Sequence, residues 1–242
     1  MTAAVVGVTG ARGGAGASVV AAALARGAAR GRRVPVCLVD LAAVGGGLDL
    51  LLGVEDAPGV RWTDLEDARG RLDGEDLAAR LPRWDRVHVV SGTRAGGPPA
   101  GAVADVVAAL ADWCTARGGV VVLDLPRDVG SLAVRGLLDA TTEVLVVTPL
   151  DVPAVAGAAA ARDRLPDDGP PVALVVRGPA PAGLSRAEVA DAVGLEVAEH
   201  VRWDRGVAIG VERGLGPCAG RGPLERAGRR LAARYLGPGG RG

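Results

Sequence analysis

Near its start the chain carries an apolar run, Val5-Val6-Gly7-Val8-Thr9, which enters a glycine-rich segment, Gly10-Ala11-Arg12-Gly13-Gly14-Ala15-Gly16. It leaves that segment through Ala17-Ser18 into an alanine-rich stretch. A strand, a glycine loop and a helix in immediate succession leave few choices of fold. Glycines admit positive φ and let successive N–H groups turn inward, while the helix brings the positive end of its dipole to the same point. The segment reads as a cradle for an anion.

The rest of the chain gives that cradle an α/β setting. Ala17 to Arg30 is small and apolar, as expected of a helix packed on a sheet, and Gly31 ends it. Val34 to Leu41 is a short apolar run with Asp40 near its carboxyl end, which fits a buried parallel strand. Residues 43–84 are looser, with a Gly45-Gly46-Gly47 turn, an apolar Leu48 to Leu52 segment, short helices around Thr63 to Arg69 and Glu75 to Leu81, and Trp62 and Trp84 as anchors. Further strands are expected at Val87 to Val90, Val120 to Leu123, Val144 to Val147, Val172 to Val176 and Leu195 to Val201. Helices are expected at Ala102 to Arg117, Val152 to Arg164 and Ser185 to Val193, with a Gly/Pro-rich linker from Gly92 to Gly101. The alternation predicts an α/β fold, a doubly wound, mostly parallel sheet flanked by helices in three layers. At 242 residues, the whole of 1–242 is read as a single domain.

Composition narrows the function. Phe, Lys, Asn and Gln are absent and Ile occurs once, a profile of GC-rich codon usage in which the core must be built from Val, Leu and Ala. Twenty-eight arginines balance 28 acidic residues, so there is no global cationic field for nonspecific nucleic acid; local patches stay open, and no specific nucleic-acid partner is expected. Cys37, Cys114 and Cys218 are far apart in sequence with no Cys-x-x-Cys spacing, which argues for reduced thiols rather than a disulfide framework or zinc site. With no apolar run of membrane-spanning length and no secretion-signal pattern, a cytoplasmic protein is expected. Residues 221–236 form a basic amphipathic pattern, with Leu224, Ala227, Leu231 and Tyr235 on one face. A terminal helix closing the sheet is favoured over a membrane-surface helix because that apolar face is thin.

Two nucleotide readings compete for the loop. Thr9 to Gly16 satisfies the Thr-Gly-x-x-x-Gly-x-Gly pattern of short-chain dehydrogenases, with Asp40 placed to hold a ribose hydroxyl. Those enzymes use a Tyr-x-x-x-Lys pair, however, and here the one tyrosine, Tyr235, lies in the terminal helix of a lysine-free chain. An active dehydrogenase of that kind is excluded; a cofactor-binding relic is not.

The other reading joins three sites. Arg12-Gly13-Gly14-Ala15-Gly16-Ala17-Ser18 resembles the deviant Walker A loop, Lys-Gly-Gly-x-Gly-Lys-Ser/Thr, of the MinD/ParA P-loop family. Asp40 matches the aspartate of that family's next motif, and Val120 to Pro126 resembles its Walker B strand ending in Asp-x-Pro. Val201-Arg202-Trp203-Asp204, followed by Val207, Gly214 and Pro217, is similar to its late Ile-Pro-x-Asp segment and trailing Gly-x-x-Pro region. The stretch Gly45 to Gly74, with Leu48-Asp49-Leu50-Leu51-Leu52-Gly53 and Pro58-Gly59-Val60-Arg61-Trp62, resembles the CpaE-like subgroup of high-GC bacteria, which includes septum-site-determining (Ssd) proteins.

The resemblance implies ATP or ADP with Mg²⁺ as ligand. Gly13, Gly14, Ala15, Gly16, Ala17 and Ser18 would hold the phosphates, and Arg202 and Trp203 would also contribute to nucleotide binding. Ser18 and Asp124 would serve Mg²⁺, the latter through a water, and Asp40 would orient the attacking water. Arg12, in place of the signature lysine, would act in trans on a partner's phosphates. A homodimer formed on nucleotide is implied, with protein partners in the division machinery or in pilus and secretion machinery. A peripheral place at the inner face of the membrane is compatible with this reading, as is an N-terminal receiver-like domain in a longer relative.

Departures weaken the ATPase. Ala17 stands where the loop carries its phosphate lysine, and losing that charge-assisted contact costs roughly 1.5–3 kcal/mol, about ten- to a hundredfold in affinity. Ala42 replaces a second acidic residue, Arg177 stands where relatives place the asparagine that reads adenine, and Arg202 replaces a proline. The expectation is a degenerate nucleotide-binding regulator with weak or absent hydrolysis. An active ATPase using arginine in place of the lysine and a nonenzymatic scaffold are the alternatives.

Overall fold

The computed structural model describes residues 4–42, 47–93 and 96–236. Eight strands form one sheet: β1 (Ala4–Gly10), β2 (Val36–Asp40), β3 (Arg83–Trp84), β4 (Val87–Val90), β5 (Val120–Asp124), β6 (Glu143–Pro149), β7 (Val172–Arg177) and β8 (Val197–Val201). Their spatial order is β3-β4-β2-β5-β1-β6-β7-β8, and every described pairing is parallel except β3 with β4. The doubly wound sheet expected from the strand–helix alternation is therefore the observed one. β3 is the exception: two residues, returned by a turn in which Asp85 has φ 58°, are too short to leave a periodic signal.

The strand side chains alternate between two cores. Val6, Val8, Leu38, Val89, Val122, Leu145 and Val175 face α1 (Ala17–Gly31), α2 (Gly47–Leu52) and α9 (Pro223–Tyr235). Val5, Cys37, Val39, Val90, Val121 and Leu123 face α3 (Gly74–Arg80), α4 (Val103–Thr115) and α5 (Leu132–Leu138). On the same side, Val146, Leu174 and Val176 meet α6 (Val152–Arg164) and α7 (Arg186–Val193). The period of two in the strands separates the helix layers, as a parallel sheet covered on both faces requires.

Several expectations change in detail. The helix placed at Thr63 to Arg69 is a 3-10 turn over Trp62–Leu65, Leu48 to Leu52 lies in α2, and α5 and α8 (Gly206–Glu212) carried no clear sequence pattern. Gly45 and Gly46 of the expected turn lie outside the described residues. Cys37 and Cys114 are neighbours in space, with Sγ atoms 3.8 Å apart, because β2 packs on α4; both are free thiols. α9 buries Leu224, Ala227 and Leu231 against α1, and Gly27 and Gly228 let the two backbones meet where a Cβ on either would strike the other helix. Its basic face is engaged by carboxylates: Arg230 pairs with Glu199, and Arg234 with Glu143 and Glu196. Among the described residues no helix is long and apolar enough to cross a membrane.

Candidate functional site

Parallel strands deliver their carboxyl ends to one edge of the sheet, where ligands bind in folds of this kind. There β1 gives way to the glycine loop, β2 ends in Asp40, β5 in Asp124 and β7 in Arg177, and β6 and β8 run on to Asp151 and Trp203.

The loop opens by hydrogen bonds to its neighbours. Thr9 Oγ1 donates to the Pro126 carbonyl (3.0 Å) and Ala11 N–H to Val147 O (3.0 Å). Gly14 and Gly16 have φ of 71° and 91°, left-handed conformations that account for glycine at both positions. Gly16 is the N-cap of α1 and offers no side-chain oxygen to the first amides of the helix. Gly13 and Gly14 are exposed and nothing lies within 4 Å of a Cβ built on Gly14, so this part of the cradle faces open space. Ala15, by contrast, is buried and its N–H donates to Arg12 O (3.2 Å). On the far side α6 presses Gly157 against the loop, where a Cβ would strike Ala11 O.

Behind the loop stand two buried carboxylates on adjacent strands, Asp40 and Asp124, paired in register. Ser18, in the first turn of α1, stands near enough to Asp124 for its hydroxyl to favour the ionised carboxylate. Burial pushes Asp124 up to about 7, against the pull of that hydroxyl and with a further push from Asp40. Asp40 is built into its surroundings. Its Oδ1 accepts from Ala42 N–H and its Oδ2 from Leu48 N–H, each at 3.0 Å, and the Gly92 N–H nearby also favours the ionised form. Burial raises its pKa while these amides oppose the rise. Trp62, fully buried, donates Nε1–H to the Asp40 carbonyl at 2.6 Å.

In front of the loop stand arginines. Arg12 folds back on its own chain and meets Asp151 through Nε (3.3 Å to Oδ1) and Nη2 (2.6 Å to Oδ2), with Nη1 on Gly13 O at 3.0 Å. These bonds raise the Arg12 pKa and lower that of Asp151, whose Oδ1 also caps α6 at Ala154 N–H (2.9 Å). Arg127, just past the β5 carboxyl end, brings Nη1 to 3.9 Å from a Cβ built on Gly13. Arg177 reaches over Gly16: its Cζ stands 3.5 Å from a Cβ built there, and its Nη1 would collide with it.

Gly13 through Ser18, Asp40, Asp124 and Arg12 thus share one sheet edge, as their spacing suggested. Trp203, 57% exposed, joins them through Arg177, whose guanidinium lies 5.6 Å from its ring centre. Arg202 does not join them. It lines a separate groove with Arg186, His200, Arg226 and Arg230. Asp204 Oδ1 and Oδ2 accept from Gly206 and Leu224 N–H, tying the β8–α8 turn to α9. Sequence reasoning gave no role to Asp151 or Arg127 and placed Arg177 near a base rather than the loop. The available signal was position: each is a charged residue at or just past the carboxyl end of an apolar strand.

The residues present fit a phosphate with Mg²⁺. Open amides lie at a helix N-terminus, and the Ser18 hydroxyl and the Asp124 carboxylate stand beside them, the donor pair that P-loop proteins place on the ion. Among the described residues no cluster of three or more His, Cys, Asp or Glu side chains could hold a metal, and Mg²⁺ at phosphates characteristically takes only one or two protein carboxylates.

Comparison with known proteins agrees with this geometry. No protein-family model matches the chain. Two uncharacterized proteins of Mycobacterium tuberculosis, MT3760 of strain CDC 1551 / Oshkosh and Rv3660c of strain ATCC 25618 / H37Rv, are each 45% identical over 230 residues. The match covers 94% of this chain and 63% of either relative, so the chain spans under two thirds of their length. Among solved structures, a ParA family ATPase from Chlorobium tepidum TLS is similar with TM-score 0.81 at 17% identity, over 96% of this chain and 98% of that one. MinD from the MinC:MinD cell division complex of Aquifex aeolicus gives 0.76 at 18% identity, over 98% and 97%. MinD of Pyrococcus horikoshii OT3, complexed with Mg-ADP, gives 0.75 at 18% identity, over 97% and 96%. The chain has the fold of these proteins.

Proposed function

We propose that the chain is a degenerate MinD/ParA-type nucleotide-binding regulator, folded as a single domain, that binds ATP or ADP with Mg²⁺ and hydrolyses ATP weakly or not at all. The observation that carries the reading is the buried carboxylate of Asp124, paired in register with Asp40 at the strand ends behind a loop held open by left-handed glycines. Ser18 and Asp124 would hold Mg²⁺, and the cation would restore the charge that burial opposes on Asp124. The amides of Gly13, Gly14, Gly16, Ala17 and Ser18 would take phosphate oxygens, and Trp203 would border the nucleotide. Mg²⁺ would neutralise phosphate charge there.

Weak hydrolysis is supported by Asp40. A carboxylate whose two oxygens already accept from the Ala42 and Leu48 amides is poorly free to orient a water. In this reading nucleotide sets shape rather than undergoing turnover. The protein would act as a nucleotide-dependent homodimer in the CpaE-like, septum-site-determining manner, positioning partners of division or of pilus and secretion machinery, in the cytoplasm or peripherally at the inner face of the membrane. The active-ATPase alternative keeps one specific support, the arginines around the loop.

Calorimetry with Mg-ATP and Mg-ADP tests the reading. Binding at micromolar to millimolar concentration that loses its Mg²⁺ dependence in Ser18→Ala and Asp124→Asn is the expected result. No heat and no rise in melting temperature at millimolar nucleotide would leave only the scaffold.

A further inference from the structure

Replacing the loop lysine by Ala17 leaves a phosphate cradle without its internal cation, yet the surroundings are strongly cationic. The helix dipole of α1, Arg12, Arg127 and Arg177 all converge on one short loop. Like charges brought together around open amides, without a counter-ion for each, describe an anion site. Asp151 neutralises Arg12. Asp40 and Asp124 lie buried behind the loop rather than across it.

Arg177 is the one of these cations with a buried donor left over among the described residues. Its Nε is buried and among the described residues has no hydrogen-bond partner, although a desolvated guanidinium N–H ordinarily finds an acceptor. Its position is nevertheless well determined. The residue ends β7 in register with Val201 of β8, its carbonyl accepts from Leu150 N–H at 3.1 Å, and Trp203 flanks the guanidinium. A flat cation held beside an aromatic ring, with its outer nitrogen over the Gly16 backbone, is pre-organised to receive oxygens. Glycine at position 16 is required twice, by its φ of 91° and by the guanidinium that occupies the space of a Cβ. Burial, and to a lesser degree the nearby Arg12, lower the Arg177 pKa.

We propose that Arg177 is the phosphate-binding cation of this loop, supplying from the end of β7 the positive charge that Ala17 lacks, for the di- or triphosphate of a nucleotide. The assignment rests on the nucleotide reading above and changes its chemistry. The cation arrives from outside the loop, and the position expected to serve the base serves phosphate instead. A guanidinium has donors only, so it suits phosphate oxygens better than an adenine edge that presents both donors and acceptors.

Titration of the purified chain with Mg-ATP, Mg-ADP and inorganic tripolyphosphate, beside Arg177→Ala and Arg177→Lys, tests the assignment. Arg177→Ala is expected to weaken all three ligands by roughly ten- to a hundredfold, and Arg177→Lys by much less. Installing Ala17→Lys in the Arg177→Ala background is expected to recover part of the loss. Equal affinity of wild type and Arg177→Ala for all three would overturn the assignment while the nucleotide reading stood. A loss toward ATP and ADP without one toward tripolyphosphate would make Arg177 a base or ribose contact and also overturn it. If wild type binds none of the three at millimolar concentration, the nucleotide reading fails and the assignment with it. Thermal melts confirm folding; should Arg177→Ala not fold, Arg177→Gln keeps much of the stem, removes the charge and carries the same expectation.

Discussion

The two sides of the loop are built on opposite principles. Behind it Asp40 and Asp124 are 2% and 3% exposed, and Asp40 accepts the backbone amides of Ala42 and Leu48. In front, Arg12, Arg127 and Arg177 reach it from three elements, and of the bonds described for them only Arg12's to Asp151 joins another side chain. Buried charge bound to amides fixes backbone shape, because removing it strands donors that water cannot reach. Half-exposed cations hold little of the fold and are free to answer an incoming anion. Asp40 is therefore architecture and the arginine side is recognition, with Asp124 between them serving the cation in the proposed reading, a division that a loop with an internal lysine would not show.

The sharpest way to break this contrast is Asp40→Ala. It removes the acceptor of the Ala42 and Leu48 amides, and chemical denaturation should show a loss of about 2–4 kcal/mol from the cost of unsatisfied buried donors. Unchanged stability would return Asp40 to a purely chemical role. Next in size is Gly157→Ala on α6, which touches both sides through the loop. Alanine in a helix interior normally gains about 1 kcal/mol over glycine. Here the Cβ meets Ala11 O, and overpacking of about 1–3 kcal/mol should win, with lower melting temperature and weaker nucleotide binding as the two readouts.

A smaller effect probes how well the carboxylate side is sealed. On β4, His88 donates Nδ1–H to Ala78 O (2.8 Å) and accepts from Arg83 Nη2 (3.1 Å), an arrangement that requires the neutral ring. Burial lowers its pKa, with Arg83 adding to the effect. The unfolded chain, with a His pKa of about 6.5, then binds a proton that the folded chain refuses. Stability should fall as pH drops through that value and level off below the folded pKa. A His88→Gln variant should lose this slope in urea midpoints measured from pH 7.5 to 5. The smallest expected change is Arg12→Ala. Its exposed pair with Asp151 should contribute no more than about 1 kcal/mol, and a larger loss in denaturation would move Arg12 to the architectural side.

Much of this site could be read before folding. The loop, Asp40 and Asp124 lie in or at the end of apolar strands whose local pattern announces them, so their arrival at one sheet edge follows from parallel topology alone. β3 and the 3-10 turn at Trp62–Leu65 could not be read, because two to four residues are too few to set a period. The adjacency of Cys37 and Cys114 depends on which face of β2 meets α4, and spacing along the chain holds no record of it. Arg202 and Trp203 are neighbours in sequence, yet one lines a groove with Arg226 and Arg230 and the other flanks Arg177.

The opening segment by itself determined that an anion cradle exists here and that its internal cation is missing, since both are properties of consecutive residues. Only the tertiary structure decided what stands in for that cation. The order β1-β6-β7-β8 brings the end of β7 near the loop, and the register of β7 with β8 sets Arg177 beside Trp203 and over Gly16. The physical reason is that a loop's shape is written in local φ preferences, whereas the charge that fills it depends on which distant strand ends at its side.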